Sequence, residues 1–397
     1  MLALEAIVLL ALVAVPVWNL LRPQPAIAFA ARDWVVLADL RNLTDESRFD
    51  EALTEAFRIG LEQSRHVNVL SDLKLRTTLE RMQRPADQAI DRETGAEIAV
   101  REGARAIILP SIAEIGGRVR FTAEVIDPHT QATVYSESAD GIGLDSVLPS
   151  VDAVNRSLRG RLGEAIAAVS QSSQPLEKVA TADMDALRAY TLALRAHQRN
   201  DDGNAVAFLR QAIEVDPGFA LARLTLATIL QDRSDSLAEA LALLEALDDP
   251  TRLSIRDRLH LEGVRANLLQ PATEAIDHWR RMTELYPDDF QAHGHLAYRA
   301  WLDANDLALA ARAADSNAGA QNPNRSFGLY LRAFLAVAQG DVDKAEAGFA
   351  AAAAAGLQNE NQFAAFLAAS RRDYPAAESA LAIGTQSGLA TARVGSA

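Results

Sequence analysis

The chain turns the same corner repeatedly, and that limits its folds more than anything else in it. In residues 207–229, AFLRQAIEVDPGFALARLTLATI, apolar side chains keep helical spacing through Ile213. Asp216-Pro217-Gly218 interrupts, and a second apolar series begins at Phe219. A proline inside a helix loses a backbone hydrogen bond and clashes with the preceding turn, so two helices meet there at a bend. Aligned on that proline, the pattern returns. A unit begun at Ala186 places Leu192-Ala193 at 7 and 8, Ala205 at 20, Leu209 at 24, Ala212 at 27 and Pro217 at 32. One begun at Arg256 places Gly263, Ala266, Ala275, Trp279, Met282 and Pro287 in the same phase, and one begun at Ser326 places Ala333, Ala336, Gly340-Asp341, Ala345, Phe349 and Ala352.

A period of about 34 residues with small and large side chains at these places resembles the tetratricopeptide repeat, a helix pair whose small residues let neighbours approach. Six units are expected over residues 186–391, the second (220–255) and fourth (290–325) irregular. Such pairs stack into a superhelix lined inside by each unit's first helix. By that geometry the inner face includes Tyr190, His197, His260, Asn267, Tyr298, Trp301, Tyr330, Phe334 and Phe366, the candidate groove for a partner protein or peptide. Rings on a concave face serve as interface anchors, and the competing reading is that they pack between repeats. No Lys/Arg pattern suited to clamping a peptide carboxylate occurs there.

Residues 6–21, AIVLLALVAVPVWNLL, form a nearly charge-free run ending at Arg22-Pro23. Extended back to Leu2, with Glu5 tolerated, it reaches the roughly 20 residues that span a bilayer, and Trp18 suits an interface. Residues 2–21 are therefore read as a transmembrane anchor. A cleaved signal peptide and a buried core helix are the alternatives.

Between the anchor and the repeats the texture is mixed. WVVLADL (34–40), VNVL (67–70), ARAIILPSIAEI (104–115), RVRFTAEVID (118–127) and ATVYSES (132–138) read as strands, while 49–64 and 73–82 read as helices. Val119, Phe121, Ala123 and Val125 alternate with charged and polar residues, and Gly116-Gly117 suits a tight hairpin turn. The expectation is an antiparallel meander covered on one face by helices, then a helix over 151–169 and a polar linker at 173–185. The fold class is thus an α+β domain (31–172), then an all-α tetratricopeptide-repeat solenoid, behind an N-terminal transmembrane helix with its linker (1–30).

The stretches from DWVVLADLRNLTDESRFDEALTEAF and from GARAIILPSIAEIGGRVRFTAEVIDPHTQATVYSES, in this order, resemble the region after the membrane helix in bacterial receptor-type kinase and cyclase signalling proteins. They resemble the cyclases of putative peptide modification systems, and the α/β part is similar to TolB amino-terminal-type domains. The resemblance implies a single-pass inner-membrane protein with a periplasmic soluble part. Arg22 and Arg32 after the run argue for the cytoplasmic side instead. Members of that family carry their catalytic domain before the membrane helix; this chain begins at the helix, so the expectation is either a split or shortened member or chemistry that resides in another polypeptide.

The chain's own residues offer no catalysis. Phosphate-loop, nucleophile-elbow and zinc-protease motifs are all missing from the sequence. His293 and His295 fall on different faces of a helix and make a poor metal pair. Asp45, Glu46, Asp50 and Glu51 complement a helix start. Arg156, Arg159 and Arg161 read as a solvated helix face, with anionic lipid as the alternative. A formal charge of -14 argues against nucleic acid, and the lack of cysteine removes disulfides and thiolate chemistry. The expectation is a non-enzymatic scaffold without cofactor or metal, or alternatively the sensory tail of a cyclase or kinase system.

Overall fold

The computed structural model describes residues 27–199, 201–231, 235–357 and 360–386. The apolar run at 2–21 lies outside them. Among the described residues no helix is long and apolar enough to cross a membrane.

The first unit is built on one mixed sheet of β1 (Asp33–Leu37), β2 (Arg41–Leu43), β3 (Val67–Val69), β4 (Ala106–Ile115), β5 (Arg118–Ile126) and β6 (Thr133–Ile142). Its order is β3-β1-β4-β5-β6, with β2 also on β4. β1 runs parallel to both neighbours, Val35 opposite Val69 and Leu37 opposite Ile108. β4, β5 and β6 are antiparallel, turning at Gly116 and Gly117, both at positive φ. The meander is therefore only half of the sheet. The parallel half is bridged by α1 (Phe49–Glu62), then by α2 (Asp72–Arg81) and α3 (Arg92–Glu102), because parallel strands need crossovers.

These helices cover both faces, not one. Side chains alternate along a strand, so Val35, Leu37, Phe121 and Val125 meet Leu53 and Phe57 of α1 and Val151 and Leu158 of α4 (Val147–Arg161). Val36, Ile107 and Ile126 meet Leu75, Leu79 and Ile98 of α2 and α3 on the opposite side. Each fully buried Leu or Phe here contributes about 1.5–3 kcal/mol.

The helix expected over 151–169 breaks at Gly163, φ 99°, into α4 and α5 (Ile166–Ser172), leaving Ile166 82% exposed. The expected linker is packed: α6 (Leu176–Val179) buries Leu176 and Val179, and Asp152 accepts the Leu176 amide at 3.0 Å.

Six antiparallel helix pairs follow among the described residues. They are α7 (Met184–Gln198) with α8 (Asp202–Val215), α9 (Ala220–Leu230) with α10 (Leu237–Glu245), and α11 (Ile255–Leu269) with α12 (Ala272–Leu285). Then come α13 (Phe290–Leu302) with α14 (Leu307–Asn317), α15 (Arg325–Ala338) with α16 (Val342–Ala354), and α17 (Glu360–Ser370) with α18 (Tyr374–Gln386). The architecture is tetratricopeptide-like. Ala205, Ala212, Ala275, Ala345 and Ala352 are buried where helices cross. Asp201, Asp306 and Asp341 each accept an amide from the first turn of the second helix of their pair, satisfying donors a helix start leaves free.

The sheet unit docks along the repeats. Trp34 of β1 stacks on Phe290 of α13, Asn68 of β3 donates to Asp288 at 2.8 Å, and Lys74 of α2 donates to the Ala320 carbonyl at 2.8 Å. Arg195 of α7 pairs with Glu51 of α1 at 2.6 Å, and one apolar cluster runs from Ile27 to Leu335.

Candidate functional site: a cleft between sheet edge and repeats

Docking leaves a cleft of about 1060 Å³ between strand β3 and the repeats. β3 ends the sheet, so its outer backbone has no neighbouring strand. Its wall is Val67, Asn68 and Val69, with Trp34 and Arg32 beside them. The facing wall comes mostly from first helices of the repeats: His197 of α7, Thr228 and Ile229 of α9, Asn267 of α11, Gly294, His295, Tyr298 and Arg299 of α13, and Phe327 of α15.

The cleft's charges are largely paired with one another. Arg256 donates to Asp289 at 3.0 Å and reaches Glu62 at 3.4 Å. Burial would raise the Asp289 carboxyl, but the Arg256 guanidinium and the Ala292 amide outweigh it and hold it below its ordinary value. Arg32 pairs with Asp288. His295 lies flat on Trp279, ring centroids 4.4 Å apart, and burial, then His260 and Arg299, push its pKa down to about 3. The ring is neutral at physiological pH and offers a flat, polar-edged surface. Asn267 Oδ1 accepts from Trp279 Nε1 at 2.9 Å and from Arg299 Nε at 3.1 Å, which fixes the amide while its NH₂ makes no hydrogen bond to a described residue.

Of the nine groove residues named from sequence, His197, Asn267 and Tyr298 line this cleft. Tyr298 is 46% exposed, and His197 holds Asp202 at 2.8 Å. His260 packs edge-on against Trp279. Tyr190 is buried against Phe219, its hydroxyl 3.3 Å from Thr225. Trp301, Tyr330, Phe334 and Phe366 join ring to ring between repeats, Phe334 touching the other three at 4.5–5.5 Å. The sequence reading missed Arg32, Trp34, His295 and Arg299. No local pattern marks the first two, because what makes them cleft residues is contact with a segment some 250 residues away.

Elsewhere, Arg159 is not on a solvated face. It is 1% exposed and makes a two-pronged pair with Glu164, both bonds 2.8 Å, with Ser172 and Ser173 taking its other donors. Arg161 pairs with Glu137 on the surface. His293 Nε2 contacts the Pro287 carbonyl at 2.8 Å. Among the described residues no group of three or more His, Asp or Glu could hold a metal ion.

Compared with known proteins, the sequence matches no family profile and no curated protein. Solved structures of partly similar shape include the LpoB C-terminal domain from Escherichia coli (16% identity over 32% of this chain and 93% of that one, TM-score 0.27). YrrB, titled a TPR protein with an unusual peptide-binding site, is 19% identical over 47% of this chain and 92% of its own, TM-score 0.31. A PelC dodecamer from Paraburkholderia phytofirmans is 20% identical over 34% of this chain and 91% of that one, TM-score 0.24. All three cover less than half of this chain at low scores, so the cleft is read from its own residues.

Proposed function

We propose that this chain is a non-enzymatic scaffold that holds an extended polypeptide segment of a partner protein in the cleft between β3 and the first helices of the repeats. The observation that carries the reading is the pairing of two kinds of recognition surface across one cleft. On one side is a sheet edge whose backbone can add a strand; on the other are the Tyr298 and Phe327 rings and the Asn267 amide, which can seat side chains and read peptide groups. Charges already paired within the cleft favour an uncharged or mixed segment over a strongly acidic one.

Tethering belongs to the same proposal: residues 2–21 hold the chain in a bacterial inner membrane, with the soluble part on the periplasmic side. The sensory-tail reading shares this architecture, since the sheet unit that follows the apolar run shares a core with the repeats and would pass a binding event along it.

The test is photo-crosslinking from position 298 in the full chain in its host membrane, beside Asn267→Ala and Phe327→Ala versions. A crosslinked partner lost in both variants supports the cleft. The same adduct in all versions removes it. A C-terminal alkaline phosphatase fusion reads the side: activity supports the periplasmic placement, and inactivity overturns it.

A further inference from the structure

A second cavity, smaller and independent of the cleft, lies at the carboxyl ends of the parallel strands β1 and β3. The chain leaves β1 through β2 for α1 on one face of the sheet, and the loop after β3 leads to α2 on the other. The cavity lies outside the carboxyl ends of the parallel strands, the end at which open α/β sheets bind ligands. In this chain the crevice is roofed by the first repeat: Thr191 and Arg195 of α7 and Arg199 just past its end form the outer wall. Its volume is about 170 Å³. At roughly 10–15 Å³ per water molecule, that is room for a molecule of about 11–17 non-hydrogen atoms.

The lining carries both signs of charge, and part of each is unspent. Arg58 is committed, donating to the Leu70 carbonyl at 3.1 Å and pairing with Asp72. Arg195 is committed to Glu51, whose other oxygen is buried without a partner. Arg76 and Arg199 face the same crevice and form no ion pair with a described residue. Burial, then the neighbouring Arg199, push Arg76 below the ordinary arginine value. On the acidic side Glu55 is 8% exposed and accepts no hydrogen bond from a described residue; its one ion-pair contact is Arg58 Nε at 3.6 Å. Asp39 at the mouth accepts only the Ile90 amide, at 2.7 Å. Arginine charges held close in a low-dielectric crevice are costly; burial keeps the Glu55 carboxyl largely protonated while the crevice is empty, and a ligand ammonium replaces that proton as a ligand carboxylate settles the arginines.

The kind of ligand follows. A lone anion such as phosphate would gain the arginines but leave the Glu55 and Asp39 side without a further donor, and no glycine-rich turn follows β1 to cradle it. A divalent cation lacks a ligand cluster among the described residues. A small zwitterion satisfies both sides at once.

We propose that this crevice binds a free α-amino acid, its carboxylate on Arg76 and Arg199 and its ammonium on Glu55 and Asp39. Because one wall is the first repeat helix, occupancy ties the sheet unit to the solenoid, making the crevice a sensory input to the scaffold. The assignment does not depend on what the cleft holds.

The test is a thermal-shift and calorimetric series on the full chain in detergent, using the free amino acids one at a time. Each is run beside its N-acetyl form, which lacks the ammonium, and its amide, which lacks the carboxylate. At least one free amino acid is expected to raise Tm and bind saturably, since a ligand of the folded state stabilises it. Both blocked forms should bind about tenfold or more weakly, as should Glu55→Gln and Arg76→Gln. Arg199→Ala, at an exposed position, keeps the test open if a crevice variant fails to fold. Tyr298→Ala, in the cleft, should leave the binding unchanged. No shift with any free amino acid overturns the assignment, as does equal binding of the blocked forms or undiminished binding by the crevice variants.

Discussion

The Trp34 and Phe290 rings stack with centroids 6.0 Å apart and planes 3° from parallel, joining the first strand of the sheet to the first helix of the fourth repeat. Around this stack, Arg32 and Asn68 both reach Asp288, so an apolar contact and a polar cluster fix the same junction. Phe290→Ala is expected to cost about 1–3 kcal/mol, below a full core Phe deletion because Trp34 is only partly buried. Hydrogen exchange should then quicken in β3 and α13 together. Faster exchange in α13 alone would mean that the units do not stabilise each other.

Repeat packing makes a sharper prediction at Gly263. A Cβ there would sit 2.7 Å from Cζ2 of Trp279, the largest fully buried side chain among the described residues. Gly263→Ala must displace that ring, and through it the Asn267 amide that Trp279 Nε1 holds. The expected cost is about 1–3 kcal/mol. Trp279→Phe should recover part of it in the double variant, a coupling that denaturant midpoints would read. Simple additivity would show that the ring moves aside freely.

The same two regions show what could be read from the sequence. The repeats were legible because the stacking constraint falls on local spacing: Ala205, Ala275 and Ala345 recur where helices cross, and each is buried. β5 was legible because its alternation is strict. The sheet's order was not, since apolar runs such as WVVL and AIIL fit a parallel or an antiparallel partner equally well. α3 escaped notice because it buries Thr94, Gly95 and Ala96, which leave little apolar periodicity. Three of nine proposed groove residues line the cleft because a ring on a first helix suits either the inner face or the next repeat, and spacing does not separate the two. The cleft itself depends on bonds such as Lys74 to Ala320, 246 residues apart.

Arg159 shows how a charged residue misleads, and it predicts a double-variant result. Its partner Glu164 lies just past the helix break at Gly163, so no i,i+4 pattern announces it. Breaking a buried pair strands a charge: Arg159→Met should cost about 3–5 kcal/mol. Replacing both, Arg159→Met with Glu164→Leu, should restore much of that, although Ser64 then loses its acceptor. A double variant as unstable as the single one would assign the cost to packing and not to charge.

Stability should also fall as the solution becomes alkaline, because of Glu55. Burial pushes its carboxyl up to about 8; Asp72 and Glu62 add to the push, while Arg58 and Arg195 oppose it. The folded chain then holds this proton more tightly than the unfolded chain, whose carboxyl titrates near the ordinary 4.5. Its stabilising contribution is complete below that ordinary value and is lost as pH rises through about 8. Glu62 and Asp152, raised chiefly by burial and Asp152 to about 6, tilt stability the same way. Glu55→Gln should therefore flatten the decline without abolishing it, leaving the variant more stable than the parent at about pH 9. Denaturant midpoints from about pH 5 to about pH 9 decide the matter. Parallel curves for variant and parent would mean that Glu55 is ionised in the folded chain throughout, its charge matched by Arg58.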